Sequence, residues 1–378
     1  MKVFLVAGEA SGDRLGAALM AGLRELRPDV TFAGVGGALM QKQGLSSLFP
    51  MAELSVMGIA EVLPKYPHLR RRMIETAEAV LAASPDVLIT IDSPDFCLRV
   101  AERVRRTRRV RTVHYVAPSV WAWRPKRAIR MARHVDQVLA LLPFEPPYME
   151  AAGMRCDFVG HPVVAEAIAS PEAAAELRAE LGGGPVVLAL PGSRRSEVTR
   201  LAPVFGAALR QVSRHHPDLR VLLPAAPGLE TLVEYLSRDW PATRIVPSEE
   251  VARKNAAFRA ADVALAASGT VSLELAAAGT PMVVAYDMSW LSWQIMSRMA
   301  RIDTVTLVNL ITDERIVPEF LGPACRPDGV AGALLQLLVH PSDQLDALEQ
   351  TMRALGRDGP PPGLRAAAAV LDGLAVAG

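Results

Sequence analysis

An aspartate that directly follows an apolar run is the residue in this sequence best suited to proton transfer. Asp92 comes after the run Asp86–Ile91 and is followed by Ser93, Pro94 and Asp95. The carboxyl end of a buried strand is where open α/β sheets place functional groups. The carboxylates of Asp92 and Asp95 are too close together for both to be ordinary buried core residues, because buried charge is costly. We expect Ser93 or Asp95 to cap the next helix and leave Asp92 free as a general base.

Two loops in the second half have the composition of phosphate-binding turns. Residues 191–198 read PGSRRSEV, which places Arg194 and Arg195 beside a glycine turn at a helix start. A cation and free N–H groups at a helix N-terminus suit a diphosphate. Residues 267–274 read ASGTVSLE and repeat the design without a cation, with Glu274 one turn further on to bind ribose hydroxyls. Taken alone, residues 267–274 could be no more than the well-capped start of a helix. Two loops of this composition in one half of the chain favour a nucleotide-binding site.

Two glycine-containing loops in the first half are weaker anion-site candidates. Residues 8–13 read GEASGD between a strand and a helix, and residues 34–37 read GVGG. The first loop is not GxGxxG, and the Glu9 carboxylate would repel a pyrophosphate, which disfavours a nicotinamide-binding fold. An ordinary strand-to-helix turn is the alternative for the first loop.

Aromatic and histidine side chains in residues 114–134 have less specific interpretations. Trp121 and Trp123 stand beside Arg124 in the segment YVAPSVWAWR, where they could stack on a sugar or pack beneath a loop. His114 and His134 have no neighbours with metal-ligand spacing, so we expect both to be structural.

The elements that position these residues are short, continuously apolar runs separated by amphipathic stretches. Continuous rather than alternating runs predict parallel strands with helices on both faces of the sheet. The predicted strands are 3–7, 86–91, 112–116 and 137–142 in the first half, and 186–190, 220–223, 263–266 and 282–285 in the second.

The predicted organisation is two doubly wound α/β domains that face a central ligand-binding cleft. The segment Ala167–Gly184 is rich in Ala and Glu and ends in three glycines, so it predicts a helix and a flexible connector. After the prolines at 360–362, an Ala/Leu helix is expected to pack back on a domain or to be swapped. The expected divisions are 1–165, a connector 166–184, 185–355 and a helical tail 356–378.

Composition narrows the class of protein. The 378 residues are 51% hydrophobic and 21% charged, which excludes a disordered or fibrous chain. The cysteines Cys97, Cys156 and Cys325 fit neither a metal spacing nor a disulfide framework and suggest a reducing compartment. Without a predicted signal peptide or membrane span, the expected location is cytoplasmic.

Charge and amphipathicity suggest a membrane-surface role for the first half. Residues 1–160 contain 22 Lys and Arg against 16 Asp and Glu, net +6, whereas the remainder has 19 against 24, net −5. The apolar segment Leu54–Leu69 runs into Arg70–Arg72, as in a basic interfacial helix, although a core-facing helix is the alternative. Pro64 and Pro67 make a long continuous helix doubtful. The arginines of 99–111 suggest a solvated helix face.

Eight segments stand in order along the chain, from about residue 3 to residue 335: GEASGD, IDSPDF, YVAPSVWAWR, LPFEP, FVGHP, LPGSRRSEV, SGTVSLELAAAGTPMVVAY and LVNLI. Together these segments resemble the lipid-A-disaccharide synthase family. The resemblance implies a GT-B fold with an N-terminal acceptor domain and a C-terminal UDP-sugar domain. The implied reaction joins UDP-2,3-diacylglucosamine to 2,3-diacylglucosamine 1-phosphate (lipid X). The products are the β-1′,6-linked disaccharide 1-phosphate and UDP, with inversion.

The resemblance also implies roles for particular residues. Asp92 occupies the position of the family's essential aspartate, as base or as orienting group, and Arg194 matches its functional arginine. The implied nucleotide-binding residues are Gly192, Ser193, Arg195, Ser268, Gly269, Thr270, Glu274 and Asn309.

We also expect this family's arrangement to work without a cofactor or a metal. No acidic DxD pair stands at the donor site, so helix dipoles and arginine are expected to replace the metal. The expected partners are the two lipid substrates and the inner-leaflet surface of the inner membrane. A homodimer with a second copy of the chain is also compatible with the resemblance.

Three other functions remain as alternatives from the sequence. Another enzyme that uses a UDP-sugar, such as a 2-epimerase or a peptidoglycan-type N-acetylglucosaminyltransferase, would share the fold, but an epimerase needs no lipid acceptor site. A catalytically silent nucleotide-sugar binding protein would not need Asp92, Arg194 and Glu274 together. A nucleic-acid binder could use the arginine clusters, but near-neutral charge and the lack of a recognisable nucleic-acid-binding motif disfavour it.

Overall fold

Each of two compact units in the computed structural model contains one six-stranded parallel sheet. The model describes residues 1–54, 59–124, 126–299 and 301–377. The first unit comprises Met1–Ala165 and Leu355–Gly378, and the second comprises Glu166–Ala354. The two doubly wound domains predicted from the apolar runs are confirmed.

The sheet of the first unit has the strand order β2-β1-β3-β4-β5-β6. Its strands are β1 (Lys2–Ala7), β2 (Thr31–Val35), β3 (Val87–Ile91), β4 (Thr112–Tyr115), β5 (Gln137–Ala140) and β6 (Arg155–Phe158). Its helices are α1 (Ala10–Leu26), α2 (Ala38–Lys42), α3 (Ile59–Ala83), α4 (Pro94–Thr107), α5 (Lys126–Met131), α6 (Pro146–Glu150) and, from the end of the chain, α16 (Pro362–Ala377). Every residue of β3, β4 and β5 is buried, because helices cover both faces of the sheet.

The sheet of the second unit has the strand order β12-β11-β10-β7-β8-β9. Its strands are β7 (Val186–Leu190), β8 (Arg220–Pro224), β9 (Thr243–Val246), β10 (Val263–Ala266), β11 (Met282–Tyr286) and β12 (Glu319–Leu321). Its helices are α7 (Pro171–Leu181), α8 (Arg195–His215), α9 (Glu230–Leu236), α10 (Val251–Ala260), α11 (Val271–Ala278), α12 (Trp290–Met299), α13 (Leu307–Thr312), α14 (Pro327–Val339) and α15 (Ser342–Ala354).

Each sheet has one point at which the strand order reverses. In the first sheet the chain winds from β1 to β2 on one side and from β3 to β6 on the other, so the switch point lies between β1 and β3. In the second sheet it lies between β7 and β10. The loops that leave adjacent parallel strands on either side of such a switch diverge and open a crevice, which is where open α/β sheets bind ligands.

The stretch 166–184, which the sequence suggests as a connector, is grouped with the second unit. Helix α7 is capped by Ser170, whose Oγ accepts a hydrogen bond from the backbone N–H of Ala173 at 3.2 Å. Arg178 on this helix donates to the carbonyl of Ala260 at 2.6 Å and to Asp262 at 3.0 Å. These contacts hold the helix beside β10 and α10.

Helix α3 corrects the expectation that Pro64 and Pro67 interrupt the apolar segment, because the helix runs continuously from Ile59 to Ala83. Each proline removes one backbone hydrogen bond, but both stand in the first nine residues of the helix. Its later turns pack Met73, Ala77 and Val80 into the core, which compensates for those losses. Residues 55–58 and the side chains of 59–65, on which part of the membrane prediction depends, lie outside the described residues. No helix in the described part of the chain is long and apolar enough to span a bilayer.

The tail helix α16 packs on α1 at a point of close backbone approach. A Cβ added at Gly22 of α1 would lie 2.7 Å from the carbonyl oxygen of Gly363. Arg365 donates to the carbonyl of Phe158 at 3.0 Å, and Gln137 donates to that of Ala369 at 2.8 Å. The tail therefore completes the core of the first unit.

Gly22→Ala is expected to destabilise the first unit by about 1–3 kcal/mol, because the added methyl group overpacks the α1–α16 contact. The control is Gly332→Ala in α14, where an added Cβ would meet nothing within 4 Å. That substitution is expected to stabilise its helix by roughly 0.5–1 kcal/mol, because alanine is the better helix former. Thermal unfolding of both variants measures the two opposite shifts. An unchanged unfolding temperature for Gly22→Ala would contradict the packing of α16 on α1.

Candidate functional site

Asp92 lies at the switch point of the first sheet, in a turn with an uncommon backbone. Asp92 and Ser93 have φ angles of +52° and +38° between the end of β3 and the start of α4. The N–H of Asp92 donates to the carbonyl of Tyr115 on neighbouring β4 at 2.9 Å. Two consecutive non-glycine residues in the left-handed region are strained, and such strain clusters at functional sites. The turn directs Asp92 off the carboxyl edge of the sheet.

Two hydrogen bonds orient the Asp92 carboxylate. The hydroxyl of Ser11, at the start of α1, donates to Oδ2 at 3.0 Å, and the N–H of Ser93 donates to Oδ1 at 2.9 Å. The residue is half-buried, so the carboxylate keeps acceptor capacity on a partly open side. The arrangement fits a base that is held in place before the substrate binds.

The Ser93 side chain does not cap α4. Its hydroxyl instead donates to Glu9 Oε1 at 3.2 Å, which connects the loop after β3 to the loop after β1. Gly8 makes room for this contact, since a Cβ there would lie 2.7 Å from Ser93 Oγ. Asp95, the other predicted cap, is 96% exposed and pairs with Arg127 at 3.2 Å. The GEASGD loop thus supports the Asp92 turn.

The glycine loop at residues 34–37 is not arranged to bind an anion from solution. The buried Asp13 carboxylate accepts hydrogen bonds from the backbone N–H groups of Gly37 at 2.9 Å, Leu39 at 3.0 Å and Met40 at 3.0 Å. These are the free donors at the start of α2, so the protein supplies its own anion there. The weak prediction of an anion site in this loop is wrong for that reason.

Trp121 packs beneath its loop, whereas Trp123 stacks with an arginine. The Trp121 ring meets Phe144 edge-on with centroids 5.1 Å apart, and its Nε1 donates to Glu145 at 3.2 Å. Trp123 lies under the Arg124 guanidinium at 4.3 Å. Of the two interpretations of the tryptophans, the structure favours packing for Trp121.

Glu145 ties this aromatic loop to the sheet and is 4% exposed. Its Oε2 accepts hydrogen bonds from the N–H groups of Leu141 at 3.2 Å and Leu142 at 3.0 Å. Burial nevertheless raises the pKa of Glu145 to about 7, from an ordinary value of 4.5. The folded protein therefore holds a proton here that the unfolded chain releases at lower pH.

The Glu145 contribution to stability is expected to disappear as the pH rises. It is fully present below the unfolded pKa and is lost as the pH passes through the folded pKa. The free energy of unfolding of the wild type minus that of Glu145→Gln should fall by about 3 kcal/mol between about pH 4.5 and about pH 8. Urea unfolding of both proteins across this range measures the difference. A difference that does not vary with pH would show that Glu145 is ionised in the folded protein.

His114 is structural, as predicted. It is 1% exposed, its Nδ1 lies 2.8 Å from the Thr90 hydroxyl, and burial lowers its pKa to about 3. Within the described ranges, no three or more His, Cys, Asp or Glu side chains are grouped so that they could hold a metal ion.

The loop after β7 lies at the switch point of the second sheet and uses Glu197 as an internal anion. Glu197 Oε2 accepts hydrogen bonds from the N–H groups of Ser193 at 3.2 Å and Arg194 at 3.3 Å. Arg194 also donates through Nη1 to Glu197 Oε1 at 3.0 Å. Gly192 has a φ of +112°, in the region that favours glycine. Glu197 therefore holds the loop at the start of α8 by accepting from its backbone and from the Arg194 side chain.

The cations of this loop are nevertheless open to solvent. The Arg194 side chain is 66% exposed. The Arg195 side chain is exposed and makes no hydrogen bond or ion pair with the described residues. Two guanidinium groups at a helix N-terminus outweigh one carboxylate, so the loop has a net attraction for an anion.

The loop after β10 is the neighbour of this cationic loop. Leu190 and Ala266 are paired in register, and the N–H of Ala267 donates to the carbonyl of Leu190 at 2.8 Å. Gly269 has a φ of +152° and open space where a Cβ would stand, while Thr270 is exposed. The predicted residues 192–195 and 268–270 therefore stand at one edge of one sheet.

Glu274 does not point freely into solvent. Its carboxylate lies 3.4 Å from Lys254 Nζ on α10, and the Glu274 side chain is 35% exposed. Lys254 is a residue that sequence reasoning missed, and its position on a different helix left no signal in the local pattern. The pair keeps one carboxylate oxygen, Oε1, without a protein contact in the described residues and so available to a hydroxyl.

Asn309 stands apart from the other predicted nucleotide-binding residues. It is 1% exposed, its Nδ2 donates to the carbonyl of Val317 at 3.0 Å, and its Oδ1 accepts from the N–H of Val317 at 2.9 Å. It also donates to Thr304, which donates to Glu319 at 2.6 Å. The amide is engaged within its own unit, so we do not place it among the groups that contact a ligand.

The chain is similar over most of its length to a family model described as lipid-A-disaccharide synthetase, which matches residues 3–357. The lipid-A-disaccharide synthase of Ruegeria pomeroyi is 63% identical over 99% of this chain and 96% of that relative. The lipid-A-disaccharide synthase of Rhodospirillum centenum is 49% identical over 98% and 94%.

Two solved structures with low sequence identity share the fold. The UDP-GlcNAc 2-epimerase from Neisseria meningitidis, bound to UDP-GlcNAc, superposes with a TM-score of 0.62 at 12% identity and 100% coverage of both chains. MurG from Acinetobacter baumannii superposes with a TM-score of 0.57 at 14% identity and 99% coverage of both. Both units are thus Rossmann-like, as in the GT-B type. On the family match and on two relatives of high identity over nearly the whole length, the chain belongs to the lipid-A-disaccharide synthase family.

Proposed function

We propose that this chain condenses UDP-2,3-diacylglucosamine with lipid X to form the β-1′,6-linked disaccharide 1-phosphate and UDP. The family match supports the reaction. The observation that supports the division of labour is the position of the candidate residues at the two switch points. Asp92 follows β3 in the first sheet, and Arg194 follows β7 in the second. The first unit would supply the base, and the second would bind the leaving nucleotide.

The Asp92 carboxylate is suited to remove the proton from the acceptor 6-hydroxyl. In a single inverting displacement, this proton passes to Asp92 as the hydroxyl oxygen forms a bond to C1 of the donor sugar. The bond from C1 to the diphosphate oxygen breaks, and UDP leaves with the electron pair. The hydrogen bonds from Ser11 and Ser93 fix the carboxylate before reaction, so little reorganisation is needed in the transition state.

The loop after β7 is suited to stabilise the charge that develops on the departing UDP. Arg194 and Arg195 supply positive charge, and the start of α8 adds the partial charge of a helix N-terminus. The loop after β10 offers the Ser268 and Thr270 hydroxyls. Glu274, held by Lys254, would accept hydrogen bonds from the ribose. We propose that these groups replace a metal ion in the reaction.

We also propose that the enzyme works at the inner-leaflet surface, because both substrates carry acyl chains. Helix α3 continues into Arg70 and Arg71, which are exposed. Arg72 does not add to this surface, since it donates to Glu53 at 2.7 Å and to Glu75 at 2.8 Å. Flotation with anionic and neutral vesicles tests the proposal, and equal recovery with both would contradict an electrostatic contribution.

The test of the reaction is turnover by the purified chain with both lipids in detergent, followed by mass spectrometry. The expected result is a tetra-acyl disaccharide 1-phosphate and one UDP per product, unchanged by EDTA. Omission of lipid X should abolish UDP release, which distinguishes a transferase from an epimerase or a hydrolase. Loss of activity in EDTA, restored by a divalent cation, would contradict metal independence. UDP binding without any product would contradict the proposed substrates.

A further inference from the structure

A cavity of about 510 Å³ opens beside the Asp92 turn, within the first unit. Ser93 lines it and donates through its N–H to Asp92 Oδ1, so the cavity begins one residue from the proposed base. Its volume lies in the range of roughly 300–1,000 Å³ that is usual for small-molecule sites. The roles proposed for Asp92 and Arg194 leave this cavity without an assigned ligand.

The cavity lies between α3 and α4, and one part of its wall is apolar. Leu69 and Met73 stand one helical turn apart on α3, and Phe96 faces them from the first turn of α4. Leu54 adds a further apolar side chain from the segment before α3. An apolar wall of this form is suited to hydrocarbon.

Two arginines also line this cavity. The side chains of Arg70 on α3 and Arg99 on α4 are exposed, and neither guanidinium makes a hydrogen bond or ion pair with the described residues. Neighbouring arginines on the same two helices are engaged, since Arg72 binds Glu53 and Arg105 binds Asp136 at 2.8 Å. The lining also contains two carboxylates: Glu9, which accepts from Ser93, and Asp95, which pairs with Arg127. The two arginine side chains of the cavity have no partner among the described residues and are available to a ligand.

We propose that this cavity binds the acceptor, with the phosphate of the acyl-sugar on Arg99 and Arg70 and one acyl chain along Leu69, Met73 and Phe96. The proposal rests on the proposed function, because it identifies the occupant from the nearby base. A ligand with an anionic group, hydrocarbon and a reactive hydroxyl matches all three features of the site. Guanidinium groups suit phosphate because their fork binds two oxygens at once.

The test pairs a change in the protein with a change in the ligand. Turnover is measured for the wild type and Arg99→Ala, with lipid X and with its analogue that lacks the 1-phosphate. Arg99→Ala is expected to lower kcat/KM for lipid X by about 10- to 100-fold, mainly through KM. It should leave kcat/KM for the dephosphorylated analogue, and KM for the donor, nearly unchanged. The four combinations of protein and acceptor form a double-mutant-type cycle, which isolates the interaction between the Arg99 guanidinium and the 1-phosphate.

The matched control is Arg103→Ala, one turn further along α4, where the side chain is exposed and lies outside the cavity lining. It should behave like the wild type with both acceptors. An equal loss with both acceptors in Arg99→Ala would overturn the phosphate assignment and point to an effect on folding. No turnover by the wild type with either acceptor would contradict the proposed function itself.

A second variant tests the acyl chain independently of charge. Met73→Trp narrows the cavity and is expected to raise KM for long-chain lipid X by about 10-fold, as loss of a few buried methylene groups would. The KM for a short-chain analogue of lipid X should rise much less in this variant. An equal change for long and short chains would overturn the placement of the acyl chain.

Discussion

Asp92→Asn is expected to lower kcat by about 10²- to 10⁴-fold, the usual contribution of a positioned general base. Asparagine has the shape of aspartate and tolerates the φ of +52° at this position, so the turn should persist. Its oxygen can still accept from the Ser93 N–H. The substitution therefore removes the base while it preserves the structure, and steady-state turnover with both lipids measures the loss.

The matched control lies at the other end of the same strand. Asp86 stands just before β3, and its Oδ2 accepts from the N–H of Lys2 at 2.7 Å. Asp86→Asn should leave kcat near the wild-type value, since this carboxylate is at the opposite edge of the sheet. Asp92→Glu should retain more activity than Asp92→Asn, because a displaced carboxylate still accepts a proton. Turnover by Asp92→Asn above a tenth of the wild-type rate would place the base elsewhere.

Arg194→Ala is expected to lower kcat by about 10²- to 10³-fold, the usual cost of removing one preorganised donor from a developing anion. The dissociation constant of UDP should change much less, because the charge on the leaving group is greatest in the transition state. The kcat of Arg194→Lys should lie between those of the wild type and Arg194→Ala, because lysine keeps the charge but lacks the two-pronged geometry of the guanidinium. Turnover and UDP titration of the same preparations separate these effects.

Arg210→Ala is the control for this loss. Arg210 lies on the same helix, α8, and its side chain donates to the carbonyl of Asp239 at 3.3 Å. Its removal should not change kcat. If Arg194→Ala weakened UDP binding as much as it lowered kcat, the arginine would contribute to ground-state binding and not to catalysis.

The two internal carboxylates, Asp13 and Glu197, have similar structural roles in different units. Each occupies backbone donors at a helix start, Asp13 for α2 and Glu197 for α8. Asp13 is buried and has no guanidinium partner among the described contacts, whereas Glu197 binds the exposed Arg194. A diphosphate at the loop after β7 would compete with Glu197 for these backbone donors. Glu197 is therefore suited to hold this loop in place before a diphosphate binds.

The central strands of both sheets could be predicted from the sequence. The eight strands predicted from apolar runs are β1, β3, β4 and β5 in the first sheet and β7, β8, β10 and β11 in the second. The strands that the apolar runs did not predict in the described part of the chain are the sheet edges, β2, β6, β9 and β12. Edge strands are partly exposed, as in β12, where no residue is fully buried, so they lack a continuous apolar run. A pattern based on burial finds only the strands that helices cover on both faces.

The sequence also placed Asp92 and Arg194 on loops that follow strands, because glycine, proline and charge after an apolar run indicate a turn. The tertiary structure was needed to show that these loops lie at switch points, since strand order depends on the side on which each connection crosses. It alone showed that Asn309 is engaged within its own unit and that Lys254 holds Glu274. These contacts join residues on different elements, and hydrogen bonds of that kind leave no periodic signal in the chain.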